Sequence, residues 1–364
     1  MNILIQLGHP AHYHLYKNVI KNLNSSGHKT FVLIKTKDIL QELLENDGIP
    51  YYNILPKGRK NTKFGILLGI LVRDYRIFKF SIKHKINLLT GSTVEVAHIG
   101  WLLNRDSIVT GEDDAAVVPA FGKIAFPFIK ELLTPECCNN GNFDSRSIKY
   151  NSYHELAYLH PNHFTHDSKI VEKYFSSTSP YFILRFAKLN AYHDTNIGGI
   201  NTQIAQKIID ILSPHGRIYI TAERELEPQF ENYRIQINPL DMHHVMAFAQ
   251  IYIGDSQTMA AEAGVLGVPF VRFNDFVGRI GYLRELEDEY NLGFGIKTSE
   301  VEHLYETIKD LVLMPDRNEI FQERRKKMLS EKIDYAKFLS WFIESYPESS
   351  KIMKENPDYQ YRFK

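Results

Sequence analysis

The sequence of 364 residues predicts an α/β protein with two Rossmann-like domains. Three observations lead to this prediction. Short apolar or β-branched runs alternate with longer amphipathic segments, which is typical of parallel sheets flanked by helices. The alternation occurs in two sets, and a polar segment around Pro161 separates them. The length also exceeds what a single hydrophobic core usually supports.

The first set contains six strand candidates. They cover residues 3–7, 30–34, 51–55, 87–89, 108–109 and 132–134. Helical periodicity fills most of the gaps between them. In the first gap, Leu15, Val19 and Ile20 fall on one helical face. Gly27 then allows the helix to end before the second strand begins.

The second set contains four strand candidates, at residues 181–184, 217–220, 251–253 and 269–273. We place the domain boundary near residue 165, so the predicted domains cover residues 1–165 and 166–346. The charged helical stretch 301–346 is assigned to the second domain. Residues 347–364 contain prolines and polar residues, which predicts a fraying polar tail.

The composition bears on possible partners and on the cellular compartment. The chain has 43 basic and 43 acidic residues, so no overall charge attracts nucleic acid. The two cysteines, Cys137 and Cys138, are adjacent and fit no metal or disulfide pattern, which predicts a cytoplasmic protein. The apolar run 64–72 is too short to cross a bilayer. It indicates either a buried helix or, with its basic neighbours, peripheral contact of residues 57–76 with the inner face of the membrane.

The turn after the first strand is the first candidate site. In open α/β sheets, ligands collect at the carboxyl ends of the strands. Gly8 permits a tight turn there. His9 and His12 are candidates to accept a proton or to donate a hydrogen bond to a phosphate. Helix capping is the structural alternative. His12 and His14 are two residues apart and diverge on a helix, so no metal site is predicted.

Residues 251–269 form the second candidate site, which reads as strand, polar turn, helix and strand. Gly254 lets the chain leave the sheet, and Ser256 or Thr258 would cap a helix whose N–H groups can hold a diphosphate. Glu262 lies one turn further along, where a carboxylate can accept hydrogen bonds from ribose hydroxyls. Asp255 and Gln257 complete the candidate contacts. Capping of an ordinary turn would explain the first of these residues but not the small residues around Glu262.

The third candidate site is the acidic run Glu112, Asp113 and Asp114 after the fifth strand. Neighbouring carboxylates repel one another and raise at least one pKa, which suits a proton acceptor. Asp113 and Asp114 are the preferred candidates. An acidic helix start is the alternative.

Several segments carry a resemblance to known families. Residues 254–269 resemble the nucleotide-sugar motif of GT-B glycosyltransferases and of UDP-N-acetylglucosamine 2-epimerases. Residues 8–12, 153–161 and 185–194 resemble the domain-of-unknown-function 354 family, a glycosyltransferase-like family of bacteria and archaea. The resemblance covers nearly the whole chain. It implies a GT-B-like fold in which the two domains face a cleft.

The resemblance also implies roles for particular residues. Ser256 becomes a phosphate contact and Glu262 the ribose contact. Arg185 would pair with the diphosphate, or alternatively bridge a carboxylate. The further candidates for nucleotide-sugar binding are Asn190, His193, Glu223 and His244.

These observations and the resemblance predict a metal-independent glycosyltransferase that uses a UDP-sugar. The resemblance also implies a role in polysaccharide or envelope-glycan synthesis. The acceptor would be a glycan, a lipid-linked compound or a small molecule, and His9, His12 or Asp113 would take its proton. One alternative is an enzyme like UDP-N-acetylglucosamine 2-epimerase. The other is a binding protein that holds a nucleotide sugar without catalysis.

Overall fold

The computed structural model describes residues 1–57, 62–175, 179–187 and 198–364. They form two compact units. Unit 1 contains Met1–Tyr158 together with Lys332–Lys364, and unit 2 contains Leu159–Glu331. Each unit has its own parallel sheet flanked by helices, so the predicted α/β class with two Rossmann-like domains is confirmed.

In the described part of unit 1, seven parallel strands form one sheet. They are Asn2–Leu7 (β1), Lys29–Lys35 (β2), Tyr51–Leu55 (β3), Leu88–Gly91 (β4), Asp106–Thr110 (β5), Glu131–Pro135 (β6) and Ile148–Tyr150 (β7). Their order is β3-β2-β1-β4-β5-β6-β7. The short strand β7 is not predicted from the sequence.

The centre of this sheet is closely packed. The apolar side chains of β1 are fully buried, as expected of a strand covered on both faces. At the end of β4, Gly91 has a φ of +148°, and a Cβ there would stand 2.4 Å from the carbonyl oxygen of Gln6. Only glycine fits this close approach between β1 and β4.

Five helices of unit 1 follow these strands: Pro10–Ser25 (α1), Leu40–Asn46 (α2), Lys63–Lys83 (α3), Val94–Leu102 (α4) and Pro119–Ala125 (α5). Helix α3 packs against α4 through the buried ion pair of Arg73 with Glu95. Its outer face, however, leaves Leu67, Leu68 and Leu71 exposed. A fully buried helix is therefore the wrong interpretation of the apolar run 64–72. No helix in the described part of the chain has the length and apolar content needed to cross a bilayer.

In the described part of unit 2, five parallel strands form a sheet in the order β12-β11-β10-β8-β9. These strands are Tyr181–Phe186 (β8), Arg217–Ala222 (β9), Tyr252–Gly254 (β10), Phe270–Phe273 (β11) and Gly293–Ile296 (β12). The helices are Ser168–Glu172 (α6), Thr202–Leu212 (α7), Met242–Ala247 (α8), Gln257–Val265 (α9), Gly281–Arg284 (α10), Val301–Leu313 (α11) and Arg317–Glu331 (α12). Strand β12 is not predicted from the sequence.

The last segment of the chain differs from its prediction. Helices Tyr335–Glu344 (α13) and Glu348–Glu355 (α14) belong to unit 1, not to the second domain. The ring of Tyr335 stacks on Tyr150 of β7 with centroids 4.2 Å apart. Ser350 and Lys354 of α14 both bond to Glu131 of β6, each at 2.8 Å. Residues 347–364 are thus a packed part of unit 1 rather than a fraying tail.

Candidate functional site

The candidate site in unit 2 begins where β8 and β10 lie side by side. Gly254, the last residue of β10, pairs in register with Arg185 of β8. A Cβ on Gly254 would stand 2.8 Å from the carbonyl oxygen of Arg185 and 2.7 Å from the Tyr252 hydroxyl. The predicted need for glycine at this turn therefore has a steric cause.

Arg185 forms an ion pair with Glu223, which follows β9; the guanidinium Nη2 lies 2.5 Å from Oε1. This is the carboxylate bridge that the sequence offers as the alternative for Arg185. The side chain of Glu223 is 48% exposed, whereas that of Arg185 is 18% exposed. An exposed ion pair of this kind contributes little to stability.

Helix α9 begins directly after this turn. Ser256 is its N-cap residue, but the side chain makes no capping hydrogen bond. The predicted serine cap is therefore not formed, and the first-turn amides of α9 lack this side-chain acceptor. Gln257 and Thr258 in that first turn are partly exposed.

Glu262 is buried on α9 and accepts a hydrogen bond from His243 of α8, with 3.0 Å between Oε1 and Nε2. His243 is itself buried. The sequence predicts its neighbour His244 as the nucleotide-sugar contact instead. Nδ1 of His244 accepts the backbone N–H of Asp167 at 3.1 Å. Burial lowers the pKa of His244. The two adjacent histidines lie on different faces of α8, so they have different partners.

Asp255 is turned inward, away from the role predicted for it. Its Oδ1 accepts the backbone N–H of Ala187 at 2.6 Å, and Asn274 donates to its backbone carbonyl. Burial raises the pKa of Asp255 to about 6. These contacts fix the backbone that follows β8, so Asp255 has a structural role beside the candidate site. The predicted contacts Asn190 and His193 lie outside the described residues.

The histidines after β1 have defined partners in unit 1. His9 is the N-cap of α1, and its Nδ1 accepts the backbone N–H of Ala11 at 3.2 Å. Nδ1 of His12 accepts the N–H of Gly8 at 3.0 Å. Burial, with smaller contributions from nearby basic groups, lowers the pKa of His12 well below 6.5. A neutral imidazole that accepts at Nδ1 carries its proton on Nε2. This geometry favours hydrogen-bond donation over proton acceptance.

Within the acidic run, the side chain of Glu112, which the sequence does not prefer, is only 12% exposed. Its Oε1 accepts the N–H of His154 at 2.6 Å, and its Oε2 lies 3.3 Å from Nδ1 of the same residue. Burial, followed by the charge of Glu155, raises the pKa of Glu112 well above 4.5. Asp114 accepts the N–H of Asn139 and so supports a turn, whereas Asp113 is exposed.

His154 is held between Glu112 and a tyrosine ring. Tyr335 of α13 stacks on the imidazole with ring centroids 5.6 Å apart. Burial lowers the pKa of His154 to about 3, so the imidazole is neutral at physiological pH. The residues that the structure describes contain no group of three metal-ligating side chains.

A cavity of about 390 Å³ lies beside the edge strand β12 of unit 2. Its walls include Glu287, whose carboxylate forms a bidentate ion pair with the fully buried Arg272. None of the predicted site residues lines this cavity. The candidate site described above lies instead at the ends of β8 and β10.

The fold and the βα unit at β10 define a class of protein, and comparisons with solved structures agree. A spinosyn rhamnosyltransferase complexed with spinosyn aglycone aligns with a TM-score of 0.60 at 14% identity, over 93% of this chain and 99% of that one. The UDP-GlcNAc 2-epimerase from Neisseria meningitidis bound to UDP-GlcNAc aligns with a TM-score of 0.63 at 14% identity, over 98% and 99%. A putative UDP-N-acetylglucosamine 2-epimerase from Listeria monocytogenes gives 0.65 at 12% identity, over 95% and 96%.

These likenesses show an α/β fold of the GT-B type. The chain belongs to the family described as Protein of unknown function (DUF354), which matches residues 1–280. The predicted membership is thus confirmed. No curated protein matches the sequence.

Proposed function

We propose that the protein is a glycosyltransferase that moves a sugar from a nucleotide-sugar donor to a hydroxyl acceptor. The buried carboxylate of Glu262 is the observation that carries the proposal. A carboxylate can accept about four hydrogen bonds, and the bond from His243 orients this one. Ribose hydroxyls would take further positions. The likeness in fold to a structure bound to UDP-GlcNAc supports a donor of this class.

The diphosphate would bind one turn before Glu262. The uncapped start of α9 offers amide donors and the positive end of the helix dipole, with Ser256, Gln257 and Thr258 beside it. Arg185 would exchange Glu223 for the phosphates. As the bond from the anomeric carbon to the phosphate oxygen breaks, these donors would stabilise the charge of the departing diphosphate. No metal ion is needed in this scheme.

The acceptor would bind to unit 1. Asp113, whose carboxylate is exposed, would take the acceptor's hydroxyl proton. His9 and His12 would instead donate hydrogen bonds from Nε2 to acceptor or phosphate oxygens, because Nδ1 of each already accepts a backbone N–H. We place the protein in the cytoplasm, in polysaccharide or envelope-glycan synthesis.

An enzyme like the 2-epimerases is the second candidate. Epimerisation needs an acid that can return a proton to the sugar, and Glu112 has a raised pKa beside the neutral imidazole of His154. The likeness in fold to two 2-epimerase structures is consistent with it.

One experiment separates the two candidates. A thermal-shift panel of nucleotide sugars first identifies the donor, since a ligand that binds the folded state raises the melting temperature. The donor is then incubated with the protein, with and without a panel of hydroxyl acceptors. Turnover that requires an acceptor supports the transferase. Epimer or free nucleotide formed without acceptor supports the epimerase. A protein that binds no nucleotide sugar would refute both.

A further inference from the structure

Helix α3 carries an apolar strip on its outer face. Leu67, Leu68, Leu71, Tyr75 and Ile82 are each between 50% and 58% exposed. At 100° per residue, as an α-helix requires, these five side chains fall within roughly one third of the helix circumference. The strip runs for about 22 Å along the axis. We call these five residues the α3 strip.

The inner face of the same helix is packed in the ordinary way. Ile77 is fully buried, and the ion pair of Arg73 with Glu95 is buried beneath α3. The exposure of the α3 strip is therefore a property of one face and not of a loosely packed helix. Scattered exposed apolar residues need no explanation, but a continuous patch indicates an interaction site.

The exposed charged residues of α3 that follow Leu71 are all basic. Arg76, Lys79 and Lys83 are exposed on one side of the α3 strip, and the ammonium of Lys79 lies 4.9 Å from the centre of the Tyr75 ring. The helix has a single acid, Asp74, which is paired with His98 at 2.9 Å. An apolar face bordered by lysines is typical of helices that lie in the interface of an anionic bilayer. Lysine stems can reach lipid headgroups while leucines enter the acyl boundary.

We propose that the α3 strip docks unit 1 onto a membrane surface that contains anionic phospholipids. The leucines bury their side chains just below the headgroups, and Lys79 and Lys83 bind lipid phosphates. The helix lies in the plane of the bilayer. This docking is independent of the proposed glycosyl transfer, because neither the strip nor its lysines belong to the candidate site.

The test is sedimentation of the full chain with vesicles. Binding to vesicles of phosphatidylcholine with about one third phosphatidylglycerol is expected to exceed binding to pure phosphatidylcholine by at least about tenfold, and to weaken with salt. The double variant Leu67→Glu with Leu71→Glu should lose at least about tenfold in binding, because both positions would desolvate a charge. Lys79→Gln with Lys83→Gln should lose mainly the preference for anionic vesicles.

The matched control is Leu313→Glu. Leu313 in unit 2 is 70% exposed, so the change adds the same charge to an exposed leucine away from α3. This variant should bind vesicles as well as the unchanged protein does. All variants should keep the melting temperature of the unchanged protein, because no packed side chain is removed. Failure of the unchanged protein to bind anionic vesicles would overturn the proposal. A dimer seen by light scattering would also overturn the proposal if the Leu67 and Leu71 changes dissociated it. The α3 strip would then join two copies of the chain.

Discussion

Replacing Glu262 by glutamine tests the proposed ribose contact with little change in shape. Hydrogen bonds to a charged group contribute roughly 1.5–3 kcal/mol, against about 0.5–1.5 kcal/mol for neutral pairs. Two ribose hydroxyls bound to a neutral amide, one through its oxygen and one through its NH2 group, in place of a carboxylate should therefore lose about 2 kcal/mol in all, or roughly thirtyfold in Kd. The fold should persist because glutamine fills the same buried space and can still accept from His243.

The assay is isothermal titration calorimetry with UDP and with the donor found by thermal shift. Glu302→Gln on α11 is the matched control, because Glu302 is exposed and the same charge is removed. A Glu262→Gln protein that is folded and binds the nucleotide within about twofold of the unchanged protein would refute the ribose contact, since twofold is only about 0.4 kcal/mol.

His243 gives an independent check on the same contact. His243→Ala should weaken nucleotide binding by about tenfold, because Glu262 would lose the hydrogen bond that orients it. His243→Gln, which keeps an N–H donor, should restore most of that loss. Equal binding by the two variants would mean that His243 has no part in positioning Glu262.

Three further predictions concern stability. Burial raises the pKa of Asp255 to about 6, against about 3.9 for an unfolded chain, so the folded state binds the extra proton. Its stability should fall by about 3 kcal/mol as the pH rises from about 4 to 7, and Asp255→Asn should abolish that part of the pH dependence in urea unfolding. Burial also raises the pKa of Glu112, so Glu112→Gln should likewise reduce the loss of stability above about pH 4.5. An unchanged dependence of stability on pH would contradict this argument. Arg272→Met should cost about 3–5 kcal/mol by leaving the carboxylate of Glu287 buried without its partner. Adding Glu287→Leu should recover much of that loss, and a single variant as stable as the unchanged protein would disprove the estimate.

Local sequence patterns were sufficient for the central parts of both sheets. The buried strands β1, β8 and β10 are apolar runs whose burial follows from their composition. Strands β7 and β12 escape prediction because both are short edge strands, and their apolar content is too low to distinguish them from loops. The turn at Gly254 was predictable because its geometry is local.

The side chains of the candidate sites were less predictable. Which of the two adjacent histidines, His243 or His244, faces Glu262 depends on how α8 packs against α9. Which acid of the run after β5 makes a contact depends on His154, which lies far along the chain from Glu112. Residue type identified these neighbourhoods, but packing selected the member that makes the contact.

The sequence alone determined the alternation of strands and helices, the helix start after β10 and the family membership, because each depends on residues close together in the chain or on recurring motifs. Tertiary structure alone decided where the last helices go. Residues 332–364 belong to unit 1, where Tyr150 stacks on Tyr335 and Glu131 accepts a hydrogen bond from Lys354. Such complementarity between distant segments leaves no local pattern in the sequence.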